Sequence, residues 1–213
     1  MEPIHSHRGF TLVELLVVLA IMVTIMSIIF TSQGSFNKTF ILTNTAYDVA
    51  LSLRNAETFG LGSRAVSGAV NAGYGLHFQN TIPGSFLFFA DTSPGPSCTT
   101  PDCKPGDNVY TAGADALVQT YALGNSITLK DFCAYNGTWT CTYAHDGYSA
   151  GVSVLDIVFA RPNPDPFISV NGLYSASFPV TAACLTLFSQ QGASRYISVS
   201  SSGQITANTA SCP

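Results

Sequence analysis

From Phe10 to Phe30 the chain is apolar except for one charged residue, Glu14, and a few small hydroxyl side chains. A helix over this stretch rises 1.5 Å per residue and measures about 32 Å, enough to cross the hydrocarbon core of a bilayer. In front lies a short polar leader, Met1 to Gly9, carrying His5, His7 and Arg8. Its positive flank favours a cytoplasmic position. A secretory signal peptide has a similar layout, but it needs a small-x-small cleavage site after the apolar run. Thr31-Ser32-Gln33-Gly34-Ser35 supplies only a poor one. A plain membrane anchor explains the length and leaves Glu14 without a reason. A carboxylate in hydrocarbon is costly unless it is paired or neutralised, so Glu14 points to function.

The rest of the chain is of a different kind. Its 213 residues fit one sizeable domain plus an appended segment. Charged residues make up 9% and hydrophobic residues 46%, which argues against intrinsic disorder. Lys and Arg total 8 and never cluster, which argues against non-specific nucleic-acid binding. Six cysteines lie beyond the apolar stretch, at Cys98, Cys103, Cys133, Cys141, Cys184 and Cys212. No Cys-x-x-Cys or zinc-finger spacing occurs, so no structural zinc site is expected. An even number in a polar, loop-rich region reads as disulfides formed outside the cytoplasm. Six cysteines allow fifteen pairings. Cys98 and Cys103 flank a segment that must turn, Thr99 to Asp102. Cys133 and Cys141 flank Asn136-Gly137, a hairpin signal, and a loop of Asn136 to Thr138 sets them opposite each other. Cys184 and Cys212 are then left to tie the chain end to a core strand. Free, buried thiols are the alternative.

Gly34 alone interrupts the helical signal past the apolar run, at a cost of about 1 kcal/mol relative to alanine. Leu42, Ala46, Val49, Leu53 and Ala56 then recur at helical spacing, and Phe36, Phe40, Tyr47 and Leu51 are read as widening that face. Gly60-Leu61-Gly62 supplies a stop. One helix is therefore expected from Phe10 to about residue 60, with its second half packed on a globular domain. Strand patterns follow at residues 75–79, 85–90, 117–123, 126–133, 138–143, 152–160, 182–189, 195–200 and 204–206. Prolines make loops of 91–108 and of the stretch holding Pro162, Pro164 and Pro166. The class is α+β: a long N-terminal helix, membrane-spanning in its first half, packed on a C-terminal antiparallel, sandwich-like head. The expected divisions are 1–9, a leader; 10–62, the helix, with 10–30 in the membrane; and 63–213, the β-rich head.

Arg8-Gly9-Phe10-Thr11-Leu12-Val13-Glu14-Leu15-Leu16 resembles the processing site of type IV prepilins and type II secretion pseudopilins. The resemblance implies cleavage between Gly9 and Phe10 by a membrane-embedded prepilin peptidase, then N-methylation of Phe10. It also implies that Glu14 serves assembly, the carboxylate of one subunit meeting the N-terminal amine of a neighbour. The physics is compatible: cleavage exposes an ammonium on Phe10, and Glu14, one turn on, lies near the positive end of the helix dipole. The implied partners are other pilins or pseudopilins, the peptidase and an inner-membrane assembly platform. The implied location is the bacterial inner membrane, single-pass, with the head extracytoplasmic. The many strands resemble the H-type minor pseudopilin and its pilus relatives more than the four-stranded major pilins. A filament subunit, and not an enzyme, is the leading expectation, with no cofactor and no metal. The alternatives are a filament-displayed module that grips DNA or a surface, and a secreted protein with a conventional signal peptide. For DNA, Lys104, Lys130, Arg161 and Arg195 are too scattered to promise a basic patch.

Several motifs mislead. Gly147-Tyr148-Ser149-Ala150-Gly151 fits the hydrolase nucleophile elbow, which needs a strand before the serine and a helix after it. Here strand-forming Val152 to Phe159 follows, and no histidine lies downstream of His145. Gly60 to Ala65 fits a loose dinucleotide fingerprint but closes a helix where the fingerprint must open one. His77 and His145 stand alone, so no histidine metal site is expected. Asp102, Asp107 and Asn108 offer oxygens for calcium without the dense alternation of an EF-hand. Asn136-Gly137-Thr138 is a formal glycosylation sequon that reads as a hairpin turn.

Overall fold

The computed structural model describes residues 9–62, 64–66, 71–93, 106–177, 179–209 and 211–212, with the backbone alone at 31–38 and 208–209. It divides into two compact units, residues 1–40 and 41–213. Most of the leader, and the Cys98 and Cys103 pair, lie outside the described residues. Helix α1 spans Leu12–Leu61. In the first unit its Leu12–Phe30 segment has mean hydropathy 2.8 and is long and apolar enough to cross a membrane. Every residue from Phe10 to Phe30 is exposed.

In the second unit, α1 contributes Leu42, Ala46, Val49, Leu53 and Ala56 to the core, each at most 1% exposed. Phe40, Tyr47 and Leu51 do not widen that stripe as the spacing reading expected. They are 58%, 54% and 59% exposed. At the helical turn of about 100° per residue they lie on the side opposite Leu42 and Leu53. The side chain of Phe36 lies outside the described residues.

Among the described residues, eleven strands follow α1: β1 Gly73–Gln79, β2 Ser85–Asp91, β3 Ala116–Ala122, β4 Thr128–Tyr135, β5 Trp139–Cys141, β6 Ser149–Ala150, β7 Val154–Phe159, β8 Phe167–Val170, β9 Ala182–Phe188, β10 Ser194–Ser200 and β11 Ile205–Thr209. They form a five-stranded sheet ordered β3-β2-β1-β7-β8 and a six-stranded sheet ordered β11-β10-β9-β4-β5-β6. All pairings are antiparallel except β5 with β6. The α+β class, an N-terminal apolar helix before a mostly antiparallel head, is what the chain adopts. Strands β6 and β8 were not foreseen. The first is a two-residue bridge, and the second follows the prolines at 162, 164 and 166 that marked the region as loop.

Both sheets and α1 share one core. Tyr74, Leu76, Phe78, Phe88 and Ile157 come from one sheet, and Phe132, Leu185, Leu187, Ile197 and Val199 from the other. Strand β1 is buried on both faces because the loop at 106–115 covers its far side. There Tyr110 packs on His77 and Phe89, with ring centroids 4.7 and 5.0 Å apart. His77 and Asp156 are direct partners across β1 and β7, and His77 Nδ1 lies 2.6 Å from Asp156 Oδ1. Burial pushes the Asp156 carboxyl up, and the bond to His77 offsets part of that rise. The loop itself hangs on two carboxylates. Asp91 accepts the main-chain N–H groups of Asp107 and Asn108, and Asp115 those of Thr92, Ser93 and Thr111.

Helix α1 ends where two glycines permit it. Gly62 N–H donates to the Thr58 carbonyl. Gly60 lies against β7, where a Cβ would fall on the main-chain carbonyl of Phe159. Gly60→Ala should therefore destabilise the head by about 1–3 kcal/mol through overpacking, although alanine is the better helix former by about 1 kcal/mol. Urea unfolding followed by fluorescence of Trp139, the one tryptophan, measures this, and a stabilised variant contradicts the close approach.

Two disulfides staple the six-stranded sheet. Cys133 and Cys141 face each other across β4 and β5 with Cα atoms 3.9 Å apart, and the loop between the strands is Asn136 to Thr138. Cys184 of β9 is joined to Cys212 near the chain end. They close segments of sequence separation 8 and 28. The chain-entropy relation gives about 2.5 and about 3.5 kcal/mol, so Cys184→Ala/Cys212→Ala should cost more stability than Cys133→Ala/Cys141→Ala. The same urea titration ranks the two double variants.

Candidate functional sites

The N-terminal site is built by the start of α1. Thr11 precedes the first helical residue, and its Oγ1 accepts the Glu14 N–H at 3.3 Å. Thr11 is thus an N-cap with Glu14 three residues on, the spacing of a capping box. Glu14 lies in the first turn, where the helix dipole favours an anion. Gly9, Phe10 and Glu14 are all exposed, and Phe10 is 81% exposed. Carboxylate, N-cap and the start of the apolar surface therefore fall within six residues. Sequence reasoning singled out Glu14 for its charge and missed the capping role, which Thr-x-x-Glu before an apolar run signals.

A second site lies in the head, on the face of the six-stranded sheet away from the core. A half-open cavity of about 1000 Å³ is lined there by Lys130, Asp131, Tyr143, His145, Tyr148 and Tyr196, among others. His145 was read as isolated, yet the turn after β5 sets it between two carboxylates. Its Nε2 is 2.7 Å from Asp131 Oδ2, and its Nδ1 is 3.2 Å from Asp146 Oδ2. Tyr148 packs edge-on against the ring at 5.7 Å. Burial disfavours the imidazolium, but the hydrogen bonds and charges of Asp131 and Asp146 outweigh it and raise the His145 pKa. Strand pairing and turns create this cluster, so linear spacing gave no sign of it.

The remaining candidates take structural places. Ser149 of the G-x-S-x-G motif sits in β6, and β7 follows instead of a helix. Gly137 turns the β4–β5 hairpin with φ 78°. Asp107 Oδ1 accepts the Val109 N–H within its loop, and Asp102 lies outside the described residues. Lys130 lines the outer cavity, while Arg195 on β10 donates from Nε to Thr43 of α1.

No curated protein and no solved structure matches the chain. The family described as the prokaryotic N-terminal methylation motif matches residues 4–30. That stretch contains Gly9, Phe10, the Thr11 cap, Glu14 and the apolar segment to Phe30, so the chain carries the type IV prepilin-like signature.

Proposed function

We propose that this chain is a minor pilin or pseudopilin, a structural subunit that enters a type IV pilus or type II secretion pseudopilus through its N-terminal helix. The observation that carries this reading is the methylation motif at 4–30, coincident with a membrane-length segment of α1, Leu12–Phe30, whose only charge is Glu14. On this reading a prepilin peptidase cuts between Gly9 and Phe10, and Phe10 is N-methylated. The new ammonium carries a positive charge to the apolar edge. Glu14 of an adjacent subunit offers the matching charge, and a buried carboxylate that must find one partner fixes the axial register. The exposed Tyr47 and Leu51 side of α1 supports the same conclusion, since packed helices in a filament give such a face a place. The subunit is anchored in the bacterial inner membrane before assembly, with its head extracytoplasmic, as the two disulfides favour. It acts as a scaffold and not as an enzyme.

A display role for the head is a second reading, favoured by the cavity on its outer sheet face. DNA is a poor fit for that sheet, because Lys130 and Arg195 serve opposite faces.

Glu14→Ala should be processed normally, giving a chain that starts at methylated Phe10 by intact mass. It should fail to co-purify with filaments and should abolish the piliation or secretion that depends on the subunit. Full function in that variant would overturn the register mechanism. A chain cut near residue 35 would overturn the whole reading.

A further inference from the structure

The hairpin disulfide sits inside a set of metal-ligand side chains. One ligand atom from each of Asp131, Cys133, Cys141 and His145 lies within 4.8 Å of all the others. Asp131 and Cys133 share one side of β4, two residues apart, Cys141 ends β5, and His145 comes from the turn that follows. Cys133 and Cys141 are at most 1% exposed and Asp131 is 7% exposed. Asp131 Oδ2 faces His145, while its Oδ1 is buried with no hydrogen-bond partner. A buried carboxylate oxygen left without a donor is expensive, and an ion is one of the few things that satisfy it.

We propose that these four residues form a zinc(II) site whenever the Cys133 and Cys141 thiols are reduced, so that the β4–β5 hairpin is closed by metal in one redox state and by a disulfide in the other. Two thiolates, one imidazole and one carboxylate make the tetrahedral, borderline-soft donor set that suits zinc. His145 binds through Nε2, the nitrogen nearest Asp131, and its Nδ1–H then donates to Asp146. That places a carboxylate behind a ligating histidine, the outer-shell arrangement that fixes tautomer and ring orientation at metal sites. Asp131 and His145 both line the outer cavity, which gives the ion a route in. The site does not depend on the filament reading of the chain.

The redox step balances without any unnamed reactant. A dithiol or phosphine reductant delivers two electrons, and two protons come from solvent. The Sγ–Sγ bond breaks to two thiols, and the reductant becomes a disulfide, releasing its own two protons, or a phosphine oxide, taking its oxygen from the water that supplies the two protons. On binding zinc, the two thiols and His145 Nε2 release their protons. In reverse, a disulfide oxidant takes two electrons from the thiolates and, with two solvent protons, becomes two thiols. The Cys133–Cys141 bond re-forms, zinc leaves, and His145 regains its bond to Asp131.

The test uses the full chain in detergent micelles, with cobalt(II) as a spectroscopic probe and zinc(II) as competitor. After phosphine reduction, the protein should bind about one equivalent of cobalt with thiolate charge-transfer absorption and tetrahedral d–d bands, and zinc should bleach both. The oxidised chain should give neither band. Cys133→Ser/Cys141→Ser should abolish the signal, and His145→Ala and Asp131→Asn should each weaken affinity by at least about tenfold. If reduction unfolds the head, zinc added beforehand should preserve its far-ultraviolet circular dichroism. The proposal is overturned if the reduced chain gives no thiolate–cobalt band. It is overturned equally if the band survives in the double serine variant, if neither His145→Ala nor Asp131→Asn alters affinity, or if zinc fails to protect a head that reduction unfolds.

Discussion

Helix α1 has apolar side chains on two opposite sides in its second half, and a single partner can bury only one of them. Leu42, Ala46, Val49, Leu53 and Ala56 turn to the two sheets and vanish from solvent. Burying side chains of the larger kind is worth about 1.5–3 kcal/mol each, so this stripe is a main reason for the sheets to close around one helix. Tyr47 and Leu51 on the other side remain more than half exposed. A helix of this pattern packs into the head by one side and presents the other to solvent. The apolar segment at 12–30 is in addition long and apolar enough to cross a membrane.

Polar groups inside the head follow a consistent logic, with carboxylates placed where main-chain donors would otherwise be stranded. Asp91 and Asp115 between them accept five N–H groups from segments around the 106–115 loop. A loop so anchored can cover β1 without regular structure, because its buried amides are satisfied. Gly106 is required there, since a Cβ would run into the Asp91 carboxylate. Asp156 differs in being paired with a side chain, its Oδ1 lying 2.6 Å from His77 Nδ1. Its raised pKa reflects that balance of burial over pairing.

Much of this was legible in the sequence, and the unread parts share a cause. The helix, the hairpin turn at Asn136-Gly137 and most strands follow from local periodicity and turn chemistry, which depend on neighbours in sequence. The exposed side of α1 was misread because Phe40, Tyr47 and Leu51 were grouped by apolar character without regard to angle. His77 looked solitary because Asp156 lies 79 residues away, and His145 because Asp131, its closer carboxylate partner, lies 14 residues away. Strand register brings His77 to Asp156, and a turn brings His145 back to β4. Neither distance leaves a mark at short range. Strand β8 was hidden by prolines that end before it begins, so a true loop signal was extended too far.

The signature at the N-terminus and the chemistry of the head also differ in how tightly physics ties residues to role. In the first site each element is fixed by a separate demand. On the proposed filament reading, a peptidase must find its glycine, the new amine must sit at an apolar edge, and the one carboxylate must be placed to meet a charge inside hydrocarbon, where an error costs several kcal/mol. Demands of that kind act on single positions, so a short stretch of sequence is enough to carry them. The head has to bury one stripe of α1 and satisfy its own polar groups, and many sequences do both. What it displays outward is therefore less constrained than its core. In this chain that outward face gathers a buried aspartate, a histidine and a sulfur pair beside a cavity, a grouping that burying one stripe of α1 does not require.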